Sequence, residues 1–300
     1  MRIVVTTPTG HIGSKLASIL LDRGNEITVI VRNPAKVKSL AARGAHVTVG
    51  EHSNPDLLGG AVENADALFW LTPPNMTSHD PLGEAIHFAD EGAKVIQKHP
   101  ELHVVQLSSV GAHLPNGTGP IAGLHATEER FRAVGKNVTS LRANFFMENV
   151  LNSLPTIISD GAIYGVVPGT TKAPQIATSD IAEIAADQLV LPPNGHRVVD
   201  LVGPENISFD KSAEILSRTI GGSVRIVPVP GEALKQGLMK AGMSLELAEL
   251  FLEMEEALAK GLALEFRGDE KLTGRIRFEQ FAKEVFLPAY REAGKMARAS

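Results

Sequence analysis

The sequence contains no cysteine. That excludes disulfides, thiol nucleophiles and cysteine-ligated metals, and it fits a reducing cytoplasm, the expected location. No apolar run approaches the roughly 20 residues that span a bilayer. No secretory leader is expected, because residues 3–5 are too short for an apolar core and residues 6–10 interrupt it. Positive charge is not in excess either. The formal net charge is −5, which leaves no basic footprint for nucleic acid, so neither nucleic acid nor membrane is an expected partner. No metal-site spacing and no Gly-x-Ser-x-Gly nucleophile elbow occur, and no metal is expected. Aromatic residues make up only 5% of the chain, and its only tyrosines are Tyr164 and Tyr290.

What is present is an ordinary globular composition, 300 residues of which 43% are hydrophobic and 21% charged. It suits one large domain, or one large and one small. The informative stretch is the first, MRIVVTTPTGHIGSKLASILLDRGNEITVIVR. Residues 3–5 read as a strand buried on both faces, and a turn follows with Gly10 and Gly13. Ile12, Leu16, Ile19 and Leu20 fall at helical spacing, and Gly24 ends the helix before a second strand at 27–31. Strand, glycine turn, helix, strand is the unit that sets a dinucleotide pyrophosphate on a helix N-terminus.

The alternation continues. Strands are expected at 45–49, 67–71, 103–107, 138–141 and 198–202, separated by helices at 34–40, from 55, at 81–97, 124–134 and 181–189, the last with Ser179 or Asp180 near its cap. This predicts an α/β fold, a doubly wound parallel Rossmann sheet with right-handed crossovers and its ligand at the C-terminal strand ends. Between 153 and 174 the chain is rich in glycine and proline, which reads as an excursion from the sheet. A helix at 209–220, a strand at 224–229 and helices over 232–262 suggest a second, smaller α/β C-terminal domain. The expected division is 1–152 with 178–203 returning to it, against 153–177 with 204–300. The tail from 271 should be a packed helix ending near Pro288.

Several residues point to chemistry. Gly10 permits backbone to approach phosphate and Gly13 lets helix pack on strand. A dinucleotide fingerprint has a further glycine where this chain has Thr7, and Thr7-Pro8 stiffens the turn. Arg32 ends the second strand where a carboxylate would hold the ribose diol of NAD. An arginine there pairs instead with the 2′-phosphate of NADP, and Lys36 adds a second positive charge one turn on. Thr72-Pro73-Pro74 and Ser108-Ser109-Val110 end the fourth and fifth strands and line the same crevice by topology. Ser108 or Ser109 is a candidate hydrogen-bond partner of a substrate carbonyl. His125 and Glu129 share a helix face, an arrangement suited to a histidine acid oriented by a carboxylate. The other histidines, among them His52 and His103, are expected mostly in loops or on helix surfaces. Leu247, Leu250, Phe251, Met254 and Leu258 form an apolar stripe opposite glutamates; it reads as core, with a lid or a dimer face as the alternative.

Taken together, TTPTGHIG, VIVRNPAKV, LFWLTPPN, LSSVGAH, HATEERFRAVGKNVTSLRANFFMEN and VGPENISF resemble the NmrA-like family of atypical short-chain dehydrogenases/reductases. The resemblance implies NADP(H) as cofactor and a small-molecule substrate in a cleft between two domains. It implies that Thr9, Gly10, His11, Ile12 and Gly13 cradle the pyrophosphate, with Thr7 in the same turn. Arg32 and Lys36 would hold the 2′-phosphate, and Leu71, Thr72 and Pro73 would pass beside the adenosine ribose. Ser108, Ser109 and Val110, with Ala143, Asn144 and Phe145, would border the nicotinamide. Glu51-His52 departs from the acid that often contacts adenine in this family. Ordinary short-chain dehydrogenases use Tyr-x-x-x-Lys. Neither Tyr164 nor Tyr290 has a lysine four residues on, and the matching positions hold His125 and Glu129. Two functions follow: an NADPH-dependent reductase of small carbonyl or quinone-like compounds with His125 as proton donor, or a non-enzymatic NADP(H) sensor acting through a regulatory protein partner.

Overall fold

The computed structural model describes residues 1–192 and 194–299. The opening unit is β1 (Arg2–Val5), α1 (His11–Asp22) and β2 (Glu26–Val31), followed by a short α2 (Lys38–Ala42) and β3 (His46–Val49). Ile3, Val4 and Val5 are buried on both sides of the sheet, and the apolar stripe of α1 is buried through Leu16 and Leu20. Each such leucine contributes about 1.5–3 kcal/mol over an exposed one. Next come α3 (Pro55–Val62), β4 (Ala67–Trp70), α4 (Pro81–Lys98), β5 (His103–Ser109), α5 (Ile121–Val134) and β6 (Asn137–Ala143). The start of α3 is set by Asn54, whose Oδ1 accepts from the backbone N–H groups of Asp56 and Leu57, with Pro55 at the first helical position.

After β6 the chain makes α6 (Leu154–Asp160), β7 (Ala162–Gly165) and β8 (Lys172–Ala173) before returning through α7 (Thr178–Val190) to β9 (His196–Val202). Then follow β10 (Ile207–Ser208), α8 (Phe209–Ile220), β11 (Arg225–Pro228), α9 (Gly231–Lys240), α10 (Leu245–Ala259), β12 (Glu270–Thr273), α11 (Phe278–Phe281) and α12 (Leu287–Ala299).

The central sheet has eight strands in the order β12-β9-β6-β5-β4-β1-β2-β3, and all its pairings are parallel. This is the doubly wound Rossmann arrangement, with helices on both faces. Leu16 and Leu20 of α1 pack with Ile181 and Leu189 of α7 on one face. Val95, Ile96 and Phe131, from α4 and α5, pack with Trp70 on the other. Strand order reverses between β1 and β4, so the crevice of the switch point opens above their C-terminal ends. Thr6 ties those ends together: its hydroxyl donates to the Phe69 carbonyl and accepts from the Leu71 N–H.

A separate apolar cluster, with Ile157, Leu216, Phe278, Phe281 and Phe286 at its centre, lies outside the sheet. There β7 pairs in parallel with β11, and β8 pairs antiparallel with β10. Two features differ from expectation. Strand β12, with only one apolar residue in four, joins the large sheet beside β9. It is a short edge strand with no alternating pattern to betray it. The last helix also does not end near Pro288. A π-helical segment, Ala282–Phe286, leads into α12 with Pro288 in its first turn. The proline falls just beyond the widened turn and has no α-helical bond to break there.

Candidate active site

The turn between β1 and α1 is shaped by its first residue. Thr7 has φ +54°, the one positive φ on a non-glycine residue among those described. The fingerprint glycine missing from the sequence is thus replaced by a threonine held in the left-handed conformation. Its carbonyl faces Gly13, where a β-carbon would stand 2.2 Å from the oxygen. The first turn of α1 has no side-chain cap and no acidic residue, and His11, Thr9 and Gly10 are exposed. Uncapped N–H groups at a helix start favour an anionic group. The buried Thr7 Oγ1, without a hydrogen-bond partner, lies in the same turn. These features fit a dinucleotide pyrophosphate.

Beside this turn lies a cleft of about 940 Å³. Of the expected cofactor residues, Ile12, Arg32, Leu71, Thr72, Pro73, Ser108 and Ser109 line it. Arg32 is exposed, with one guanidinium nitrogen 3.8 Å from Glu51. Lys36 does not line the cleft; it lines a neighbouring groove of about 490 Å³ together with Thr9. Thr72 is fixed by the Trp70 indole N–H, which donates to its hydroxyl at 2.9 Å. The far wall is apolar: Leu247, Leu250, Phe251 and Met254 of α10 face Leu124 of α5 and Phe146. The stripe on α10 is therefore a cleft wall for most of its length. The Ser244 N–H at the head of α10 donates to the Met76 carbonyl, which stitches that wall to the loop after β4.

At the end of β6 the structure shifts the expected register by one. Ala143 is buried in the sheet core and its carbonyl accepts from the Val110 N–H. Asn144 is buried, with its Oδ1 accepting from the Phe145 N–H. Phe145 packs edge-on against Phe209, and Phe146 stands in the cleft wall instead. Consecutive side chains after a strand alternate sides, so a one-residue offset exchanges core for cleft.

The expected pairing of His125 with Glu129 does not form. Glu129 is exposed and lies 3.7 Å from Arg132. His125 is half-buried outside the cleft wall, and its Nδ1 donates to the Ala112 carbonyl at 2.9 Å. That bond places the neutral proton on Nδ1 and leaves Nε2 as the exchanging nitrogen. The buried carboxylate of this helix is Glu128. It accepts the Ser108 hydroxyl at 2.5 Å and two guanidinium bonds from Arg142, at 2.9 and 2.5 Å. Ser108 therefore does not have its hydroxyl proton to offer a substrate carbonyl. A glutamate flanked by polar residues on a helix carries no sequence signal of burial, which is why this network escapes a one-dimensional reading.

His52 is buried rather than on a surface. Its ring stands edge-on to Trp70, with centroids 4.8 Å apart, and Nε2 has no hydrogen-bond partner. Burial, with a smaller contribution from the Arg32 charge, lowers its pKa to about 4. His103 is also buried, and burial lowers its pKa as well.

The model of the NmrA-like family matches residues 1–273. The chain belongs to the NmrA-like family. An NAD(P)H azoreductase of Xenophilus azovorans is 29% identical over 287 residues, covering 94% of this chain and 96% of that protein. Quinone oxidoreductase 2 of Escherichia coli is 26% identical over 266 residues, covering 86% of this chain and 88% of its own. Among solved structures, an NADPH-dependent quinone oxidoreductase from E. coli has a TM-score of 0.77 at 20% identity, covering 95% of this chain and all (100%) of that one. Citrobacter sp. triphenylmethane reductase complexed with NADP(H) has a TM-score of 0.73 at 24% identity, covering 89% and 93%. This NmrA-like chain thus shares the fold of those reductases over most of its length. Among the described residues, no helix is long and apolar enough to cross a membrane, and no group of histidine and carboxylate side chains is placed to hold a metal.

Proposed function

We propose that this NmrA-like protein is an NADP(H)-dependent reductase acting on a flat quinone-like or carbonyl compound. The observation that carries the reading is the single cleft that joins Arg32 at the end of β2, Ser108 and Ser109 at the end of β5, and the apolar wall of α10. The names of the azoreductase and quinone oxidoreductase relatives support it. When bound, NADPH supplies the hydride. The turn from Thr7 to Gly13 receives the pyrophosphate on the open N–H groups of α1. Arg32 holds the 2′-phosphate, with Lys36 of the adjoining groove as the outer charge. Leu71, Thr72 and Pro73 would pass along the adenosine ribose, and Ser108 and Ser109 at the end of β5, with Phe146 beyond β6, would border the nicotinamide. Leu250, Phe251 and Met254 cover the acceptor and exclude water. Holding the acceptor against the reduced ring supplies most of the catalysis. The reduced acceptor takes one proton, and its donor on this reading is His125 through Nε2, acting from outside the cleft wall.

An apolar patch facing solvent on the C-terminal helices would suit a sensor that docks a protein. Here the apolar face of α10 lines the cleft instead, which favours turnover. The test is NADPH oxidation by the purified protein with a panel of quinones, azo dyes and carbonyl compounds. Turnover that is faster with NADPH than with NADH is the expected result. Tight NADPH binding with no turnover on any compound would sink the reductase reading.

A further inference from the structure

The buried network beneath the cleft assigns a polarity to Ser108. Ser108 and Arg142 are register partners on β5 and β6, and Arg142 is in turn opposite Asp200 on β9. Glu128 reaches down from α5 to the first two. Ser108 is 3% exposed, Glu128 1% and Arg142 7%. A carboxylate in a two-bonded pair with a guanidinium can only accept hydrogen bonds. Oε1 takes the Arg142 Nε and the Ser108 hydroxyl, and Oε2 takes the other guanidinium nitrogen. The one hydrogen of Ser108 is therefore fixed on Glu128, which leaves Oγ only its lone pairs, and Ser108 is among the residues that line the cleft. A buried ion pair of this kind adds little stability over an apolar replacement, so its position under a cleft residue calls for another account.

We propose that Glu128 is a positioning residue that makes Ser108 an obligate hydrogen-bond acceptor, and that this acceptor receives the carboxamide N–H of the nicotinamide. The inference rests on the NADP(H) reading above. It excludes Ser108 as a proton or hydrogen-bond donor to the substrate.

The experiment is equilibrium binding of NADP⁺ and of its 3-acetylpyridine analogue, in which a methyl group replaces the amide nitrogen. A single hydrogen bond to a buried acceptor corresponds to about fivefold in affinity. The wild type should prefer NADP⁺ by about that factor. Ser108→Ala keeps the Glu128–Arg142 pair and should bring the two ligands to within about twofold, chiefly by weakening NADP⁺. Glu128→Gln sets an amide against Arg142 and should lose thermal stability. Its binding ratio, measured where its circular dichroism is native, should also fall to within about twofold, because the serine hydroxyl, no longer held by a carboxylate, turns to donate to the acyl oxygen that both ligands carry. A ratio unchanged in Ser108→Ala overturns the carboxamide contact. A ratio retained in Glu128→Gln reduces Glu128 to a structural partner of Arg142. Failure of the wild type to bind NADP⁺ at all overturns the cofactor reading and this inference with it.

Discussion

The carbonyl oxygen of Thr7 occupies the space that a side chain at Gly13 would need, 2.2 Å from where its β-carbon would stand. The contact is between backbone atoms, so no flexible side chain can swing away. Gly13→Ala must push α1 off β1 or twist the turn. It should cost about 1–3 kcal/mol of stability, as overpacking of a tight site does. Thermal denaturation checks the cost, and NADPH titration should show binding weakened beyond it. A substitution neutral in both would place the helix further from the turn than the contact requires.

Thr7 itself holds a conformation that costs a β-branched residue about 1–2 kcal/mol, and its Oγ1 has no hydrogen-bond partner. Glycine adopts the same φ without that penalty, at some cost in chain entropy. Thr7→Gly should therefore raise stability by about 1 kcal/mol, seen as a higher midpoint in thermal denaturation. A lower midpoint would mean that the threonine side chain contributes packing not visible in its hydrogen bonds.

Arg32 lines the cleft and its nearest carboxylate is 3.8 Å away. A charge-assisted bond to phosphate corresponds to about 1.5–3 kcal/mol. Arg32→Ala should weaken NADPH by about 10- to 100-fold and leave NADH nearly unchanged. Equal losses for both nucleotides would remove the 2′-phosphate from this residue. Lys36→Ala, in the adjoining groove, should show a smaller loss of the same kind.

His52 gives the fold a pH dependence. Burial lowers its pKa from 6.5 to about 4, so the folded state keeps it neutral where the unfolded chain binds a proton. Stability is full above pH 6.5 and falls as pH drops toward 4, by at most about 3 kcal/mol. His103, lowered in the same direction, adds to the slope. Replacing His52 by phenylalanine keeps an edge-on ring against Trp70 and removes the titration. Urea denaturation between pH 4 and 7 should show a flatter profile for His52→Phe than for the wild type. Identical profiles would exclude His52 as the source.

His125 acts, in the proposed mechanism, from outside the cleft wall. His125→Ala should lower kcat on a quinone by less than about tenfold, below the range of a general acid in direct contact, and leave NADPH affinity unchanged. Activity untouched at every pH would leave His125 as a support for the Ala112 loop only.

The sheet was legible because buried parallel strands and amphipathic helices write their periods into the chain. Residues 3–5, 27–31 and 67–71 are almost unbroken apolar runs, which suit a strand between two helix layers. Strand β12 escaped because an edge position requires no apolar run, and the helix across Pro288 escaped because a π-helical turn leaves no pattern in residue type. The positions of the candidate site residues were legible where backbone governs them: Gly10 and Gly13 fall in the turn into α1, and Arg32 follows β2, as their distance from a strand end implies. The site was not legible where a side chain's direction decides. Phe146 rather than Phe145 reaches the cleft, and Glu128 rather than Glu129 is buried.

By itself, then, the sequence determined the alternation of strands and helices through the central sheet as far as β9, the glycine turn before α1 and the position of Arg32 after β2, since each follows from local spacing and backbone geometry. Only the tertiary structure decided that Thr7 takes a glycine's conformation, that the stripe on α10 is a cleft wall, and that Glu128 binds Ser108 and Arg142. Those outcomes depend on which surfaces meet across the fold, between residues far apart in the chain, and no local pattern encodes that.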